Sequence, residues 1–192
     1  MRVWIHGAFA SPTSFNYLKN QMTSDSDLMI QYDWNTDLVK VVEKIKKFIQ
    51  TRADGDEVDL IGHSLGGVFA AILAHSDLNV RSLITMSAPF GGIEINVLLK
   101  WWFPSTIFKQ IGTLQRHHNH LLGNKIKVPH VCFVSTQGAN PIFLGKPNDG
   151  VISIESQLAM KHANYVKIPV NHYEVLMSEE VVDIMRPMLK RK

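Results

Sequence analysis

Six consecutive residues, Gly62-His63-Ser64-Leu65-Gly66-Gly67, constrain this chain more than any other stretch. They follow the strand-like run Val58-Asp59-Leu60-Ile61 and precede the helix-like run Val68-Phe69-Ala70-Ala71-Ile72-Leu73-Ala74. Gly-x-Ser-x-Gly between a strand and a helix forces a sharp turn, which only small neighbours allow. A serine at its apex lifts its hydroxyl above the sheet edge, and the following helix aims free N–H groups at any oxyanion forming there. Ser64 is therefore the candidate nucleophile. An ordinary glycine-rich turn would need neither a histidine nor an acid downstream, so the rest of the chain discriminates between the two.

Short apolar runs at Arg2–Ile5, Leu28–Tyr32, Val58–Ile61, Ser82–Thr85, His130–Val134 and Tyr165–Ile168 are strand candidates. Helix-like apolar spacing fills Thr13–Thr23, Thr36–Arg52, Leu65–His75, Val151–Lys161 and Glu174–Leu189. This alternation predicts an α/β fold with a mainly parallel sheet and helices on both faces. With 192 residues and no internal repeat or linker, a single domain over residues 1–192 is expected. One segment, Ala88–Lys127, is longer than a plain crossover needs. It holds Trp101-Trp102-Phe103 and reads as a short helical cap inserted at about 88–127.

A serine hydroxyl needs a neighbouring base, and the base needs an acid that fixes its tautomer. Asn148-Asp149-Gly150 follows the His130–Val134 strand, and Asn171-His172-Tyr173 follows Tyr165–Ile168. Parallel strands gather their carboxyl ends at one edge, so both loops should open beside Ser64. Taken singly, Asp149 is equally a turn-former or helix N-cap, and His172 equally a surface loop residue. Taken together, the order Ser64, Asp149, His172 is the one a nucleophile elbow requires. Glu155 and Glu174 compete for the acid's place, but one should lie inside a helix and the other just past the histidine. His6-Gly7-Ala8-Phe9 follows the first strand, so the expected oxyanion donors are the backbone N–H groups of Ala8 and Leu65. His6 is expected to support that loop, and His63 to be packed.

Apolar residues make up 45 % of the chain and charged ones 19 %, as in ordinary globular proteins. The net charge of +3 is scattered, and Lys44, Lys46 and Lys47 alternate with Val42, Ile45 and Phe48 as on a solvated helix face. Nucleic-acid binding is not expected. The single Cys132 cannot form an internal disulfide. No apolar run reaches the length of a membrane span, and Met1-Arg2 leads directly into a strand without a secretory leader, so a cytoplasmic protein is expected. His117, His118 and His120 lack a nearby cysteine or carboxylate to complete a zinc set, so no metal is expected. Adjacent aromatics cannot share one helix face, so at least one of Trp101, Trp102 and Phe103 leaves the cap's own core. An acyl pocket, a lipid surface and packing on the main domain are open destinations. With Phe9 these three form the candidate substrate-binding set, while Trp34 is expected in the core.

Trp4-Ile5-His6-Gly7-Ala8 resembles the first-strand His-Gly-x element of the α/β-hydrolases, and Gly62–Gly67 resembles their nucleophile elbow. Ser87-Ala88-Pro89-Phe90-Gly91-Gly92 is similar to a Pro-x-x-Gly loop of lipases and GPI-inositol deacylases, which usually carry histidine where this chain has Phe90. Asn148–Ser153 and Asn171–Val175 resemble the acid and histidine loops of compact bacterial lipases and esterases. The resemblance implies a minimal α/β-hydrolase fold of about six strands, the first lying beside the second and third. The two leading antiparallel strands of the full fold have no counterpart here. It further implies a serine hydrolase of carboxylic esters, with a lipid or other apolar acyl ester favoured and no cofactor. A thioesterase, amidase or acyltransferase would use the same residues. The rival of another class is a non-catalytic binding protein, which should have lost a triad residue; none is missing. The implied partners are a small-molecule or lipid ester and, through the cap, a peripheral lipid surface; no oligomeric state is implied.

Overall fold

The computed structural model describes residues 1–22, 26–92, 124–138 and 146–190. Six strands, β1 (Arg2–Ile5), β2 (Asp27–Ile30), β3 (Val58–His63), β4 (Val80–Met86), β5 (His130–Ser135) and β6 (Tyr165–Ile168), form one sheet. Its order is β2-β1-β3-β4-β5-β6, and every pairing is parallel. β1 thus sits between β2 and β3, as expected, and the fold is a minimal α/β-hydrolase sheet.

Parallel strands covered on both faces must be apolar on both faces, which explains the near-continuous runs. In β1, Val3 and Ile5 enter one core layer and Trp4 the other, all fully buried. The first layer packs under α2 (Leu38–Ala53) and α3 (Leu65–Leu73), and the second under α1 (Asn16–Asn20) and α5 (Glu179–Leu189). At the amino edge Arg2 reaches its register partner Asp27 at 2.7 Å, and Asp27 also accepts from the Trp4 indole at 2.9 Å.

Local signals fix the helix ends. Asp37 caps α2 by accepting from the Val39 and Lys40 amides, and Asp54 ends it in the left-handed region at φ 46°. Lys44 and Lys47 point to solvent, and Lys46 pairs with Asp77 at 2.8 Å. The Glu174–Leu189 expectation divides into a 3-10 turn (Glu174–Met177) and α5, because Ser178 caps the latter. Thr13–Thr23 likewise divides, into a 3-10 turn (Pro12–Phe15) and α1. The expected Val151–Lys161 helix shrinks to α4 (Ile154–Gln157). Its first residues are taken by an Asx turn in which Asp149 accepts from the Val151 and Ile152 amides, so helix starts only at the Ser153 cap.

Trp101, Trp102, Phe103, His117, His118, His120 and most of the expected 88–127 cap lie outside the described residues. The root of that segment is tied to α4: the Gly91 N–H donates to the Ser156 carbonyl at 2.8 Å, and the Ser156 hydroxyl to that of Gly92.

Every residue of α3 is buried. Its closeness to the sheet depends on glycine: a Cβ on Gly66 would run into the Ile5 and His6 carbonyl oxygens, and one on Gly62 into the Gly66 backbone. Because backbone cannot move aside as a side-chain tip can, Gly66→Ala should cost about 2 kcal/mol or more. Urea denaturation midpoints check this; an unchanged midpoint would show that α3 has room to retreat.

Candidate active site

Ser64 follows β3 directly and sits at φ 54°, ψ −124°, a conformation non-glycine residues seldom adopt. The fold holds it there: its N–H donates to the Met86 carbonyl at 2.8 Å, and its own carbonyl accepts from the Gly67 N–H at 2.9 Å. The hydroxyl makes no capping bond to α3, and Ser64 is partly exposed between buried neighbours. The loop after β1 passes alongside, since a Cβ on Gly7 would lie 2.9 Å from the Ser64 Cβ. Ala8 is the next residue of that loop, and Leu65 is the first residue of α3.

Asp149 lies in the loop after β5 and is fully buried. Its Oδ1 accepts from the Val151 and Ile152 amides at 2.9 and 2.7 Å. Its Oδ2 lies 2.7 Å from His172 Nδ1, and the His172 N–H donates to the Asp149 carbonyl at 2.9 Å. An ionised carboxylate can only accept, so Nδ1 carries the proton and a neutral imidazole keeps its lone pair on Nε2. The acid loop also leans on Gly138, where a Cβ would collide with the Asp149–Gly150 backbone.

His63 brings the histidine loop to the elbow. Its Nε2–H donates to the His172 carbonyl at 2.9 Å, and the two rings lie 4.9 Å apart. Burial, with a smaller contribution from His172, pushes the His63 imidazole down to about 3. His6 is equally buried: its Nδ1 lies 2.7 Å from the Gly7 carbonyl, and its ring stacks on Tyr32 at 4.4 Å. The Tyr32 hydroxyl, its pKa raised by burial, donates to the His6 carbonyl at 2.6 Å. Both histidines are packed and loop-supporting, as expected.

The competing acids face elsewhere. Glu155 is exposed and approaches Lys146 at 3.9 Å, while Glu174 accepts from the Asn171 amide at 3.0 Å. Phe9, at φ 57°, presents 59 % of its surface and rests on Trp34 with ring centroids 4.1 Å apart. Trp34 is half-buried rather than a core residue, because it sits beyond the end of β2, packed on the edge of the core with Phe9, itself exposed, over its ring. Sequence reasoning missed Tyr32 as a partner of the His-Gly loop and missed Gln157, whose amide reaches Asp149 Oδ2 at 3.1 Å. A lone glutamine in a helix pattern carries no signal for such a contact. Among the described residues no three metal-ligating side chains converge, and no helix is long and apolar enough to cross a membrane.

A family model described as PGAP1-like alpha/beta domain matches residues 13–143. The chain is similar in structure to a Bacillus licheniformis lipase, BlEst2, with TM-score 0.70 and 14 % identity over 99 % of this chain and 91 % of that one. It is also similar to the type II thioesterase BorB of the borrelidin biosynthetic cluster, with TM-score 0.65 and 14 % identity over 98 % and 90 %. A third neighbour is phospholipase PlaB from Legionella pneumophila, with TM-score 0.72 and 10 % identity over 100 % of this chain and 59 % of that one. No curated protein sequence matches.

The buried His63 has a consequence for stability. Unfolded, it takes up a proton near its ordinary 6.5; folded, it resists down to about 3. Between those values the unfolded state binds more protons, so stability falls as pH drops through this window. His63→Gln retains a donor for the His172 carbonyl but cannot titrate. It should therefore lose less stability than the parent between pH 7.5 and about 4.5, read from urea midpoints at both pH values. Equal losses would mean that His63 is not held neutral.

Proposed function

The chain belongs to the PGAP1-like alpha/beta domain family, within the α/β-hydrolases, and on that footing we propose that it is a serine hydrolase cleaving carboxylic esters through an acyl-enzyme. One observation carries the reading: a buried Asp149–His172 pair, joined at 2.7 Å, is seated on the residue that precedes a strained and uncapped Ser64.

Ser64 Oγ attacks the acyl carbon while its proton passes to His172 Nε2. The carbonyl's π pair moves onto oxygen, and the Ala8 and Leu65 amides stabilise that oxyanion. Collapse of the adduct breaks the bond to the alcohol, which leaves with the proton from His172. Water then attacks the acyl-serine by the same proton route and frees the acid. Asp149 holds the imidazole tautomer and stabilises the imidazolium.

A lipid or other apolar acyl ester is the favoured substrate class, supported by the exposed Phe9 beside the oxyanion loop and by lipases and a phospholipase among the structural neighbours. The same residues would serve a thioester, a second reading that the BorB likeness favours. We further read the chain as a single domain with a cap-like insertion at about 88–127.

Ser64→Ala should lower kcat by about 10⁴-fold or more while keeping the fold, and a fluorophosphonate should label the parent once, at Ser64. Near-normal turnover, or a parent that takes no label, would favour the non-catalytic reading. Phe9→Ala tests the substrate class, because apolar recognition grows with chain length. On a panel of acyl esters, with matched thioesters, kcat/KM should fall for long chains and hardly change for short ones, by ~0.8 kcal/mol per methylene no longer buried. An equal loss across lengths would remove the case for apolar acyl groups.

A further inference from the structure

Gln157 is 1 % exposed and uses both N–H donors and the oxygen of its amide. Its Oε1 accepts from the Ser135 N–H at 3.0 Å, and its Nε2 donates to the Ser135 carbonyl at 3.2 Å and to Asp149 Oδ2 at 3.1 Å. The amide cannot be turned over, since that would oppose its oxygen to a carbonyl and a carboxylate. Ser135 is itself held: it ends β5 in register with Ile168, and its hydroxyl bonds that of Ser87 at 2.6 Å. Gln157 is thus a rigid bracket from the end of the sheet to one carboxylate oxygen, the same oxygen that faces His172 Nδ1.

Satisfying the buried Ser135 N–H and carbonyl accounts for two of the amide's three bonds, but not for the N–H turned on Asp149. The arrangement makes sense as control of the carboxylate. Asp149 receives two donors on each oxygen: the Val151 and Ile152 amides on Oδ1, Gln157 and His172 on Oδ2. A fixed N–H dipole at Oδ2 stabilises the negative charge and offsets part of its field at the imidazole.

We propose that Gln157 is a positioning residue of the acid–base pair, aiming Asp149 Oδ2 at His172 and limiting how strongly that carboxylate holds the imidazolium. This rests on the serine-hydrolase reading above. Among the described residues, the titratable groups facing His172 are Asp149 from the acid loop, His63 from β3 and the neighbouring Tyr173. His63, buried and neutral through the working range, does not confuse the assignment.

The experiment is kcat/KM against pH for p-nitrophenyl acetate on the full chain, with active molecules counted by fluorophosphonate labelling so that unfolded protein drops out. In Gln157→Leu the carboxylate loses its competing donor, its field at His172 strengthens, and the imidazolium is favoured. The acid limb should move up by about half a pH unit, with kcat about tenfold lower and KM little changed. Gln157→Asn keeps a polar amide on α4 but is one methylene too short to reach Asp149. It should move the limb in the same direction, and it covers the case in which the leucine variant fails to fold. Ser87→Ala, which breaks the hydroxyl pair below the bracket, should lower Tm and leave the limb in place. An unmoved limb in the folded Gln157 variants, or a limb that moves equally in Ser87→Ala, would overturn the proposal. A parent that takes no fluorophosphonate would instead sink the hydrolase reading, and this one with it.

Discussion

The approach of α3 to the sheet is the constraint on which the rest of the molecule depends. Only where Gly62 and Gly66 lack side chains can the helix begin directly against β1 and β3. That nearness bends the chain so sharply after β3 that Ser64 is driven to φ 54°. The strain is carried by a wholly buried helix and by the bonds from Ser64 to Met86 and Gly67, so it is met by packing rather than relieved locally. The same nearness explains why the loop after β1 runs beside the serine: Gly7 has space for nothing larger. Elbow and oxyanion loop are two results of one close contact.

Three buried imidazoles lie in or beside the elbow and its neighbouring loops, and hydrogen bonding distinguishes them. His6 spends its Nδ1 proton on the Gly7 carbonyl, and His63 spends its Nε2 proton on the His172 carbonyl. Neither has an acidic partner, and burial disfavours the charged form of both. Only His172 faces a carboxylate, so only there can an imidazolium be stabilised away from water. On the proposed reading, the base is chosen by where the buried Asp149 carboxylate was placed, not by distance to the serine alone.

The legible parts of this site are those whose chemistry restricts the residue type. Glycines at an elbow, a Ser-Asp-His order and strands buried on two faces all leave patterns in sequence, and all six strands, the β1 position and the Asp149–His172 contact could be anticipated. Contacts between distant side chains leave none. Gln157 occupies a helix position that any residue of its size could fill, and its partner Ser135 is met only because β5 ends there. Tyr32 reads as a strand residue, yet its hydroxyl holds the His6 carbonyl. Trp34 looks like core because it is large and apolar, whereas the positive φ at Phe9 sets a ring over it at the rim. The shortened α4 has a similar origin, since a side chain competed with helix for the same backbone amides.

Asp149 shows how one carboxylate can close a turn and face a histidine at once. As a turn-former it uses Oδ1, which binds the Val151 and Ile152 amides and closes its own loop. As a partner for the histidine it uses Oδ2, which the turn leaves pointing inward. Because backbone amides hold the first oxygen and Gln157 braces the second, Oδ2 has little rotational freedom left to lose when an imidazolium forms beside it. On the proposed reading, a carboxylate held on a flexible loop would have to be ordered in each cycle, at an entropic cost of about 1 kcal/mol or more. Here the fold has already met that cost, and the turn that looks merely structural is what keeps the acid in position.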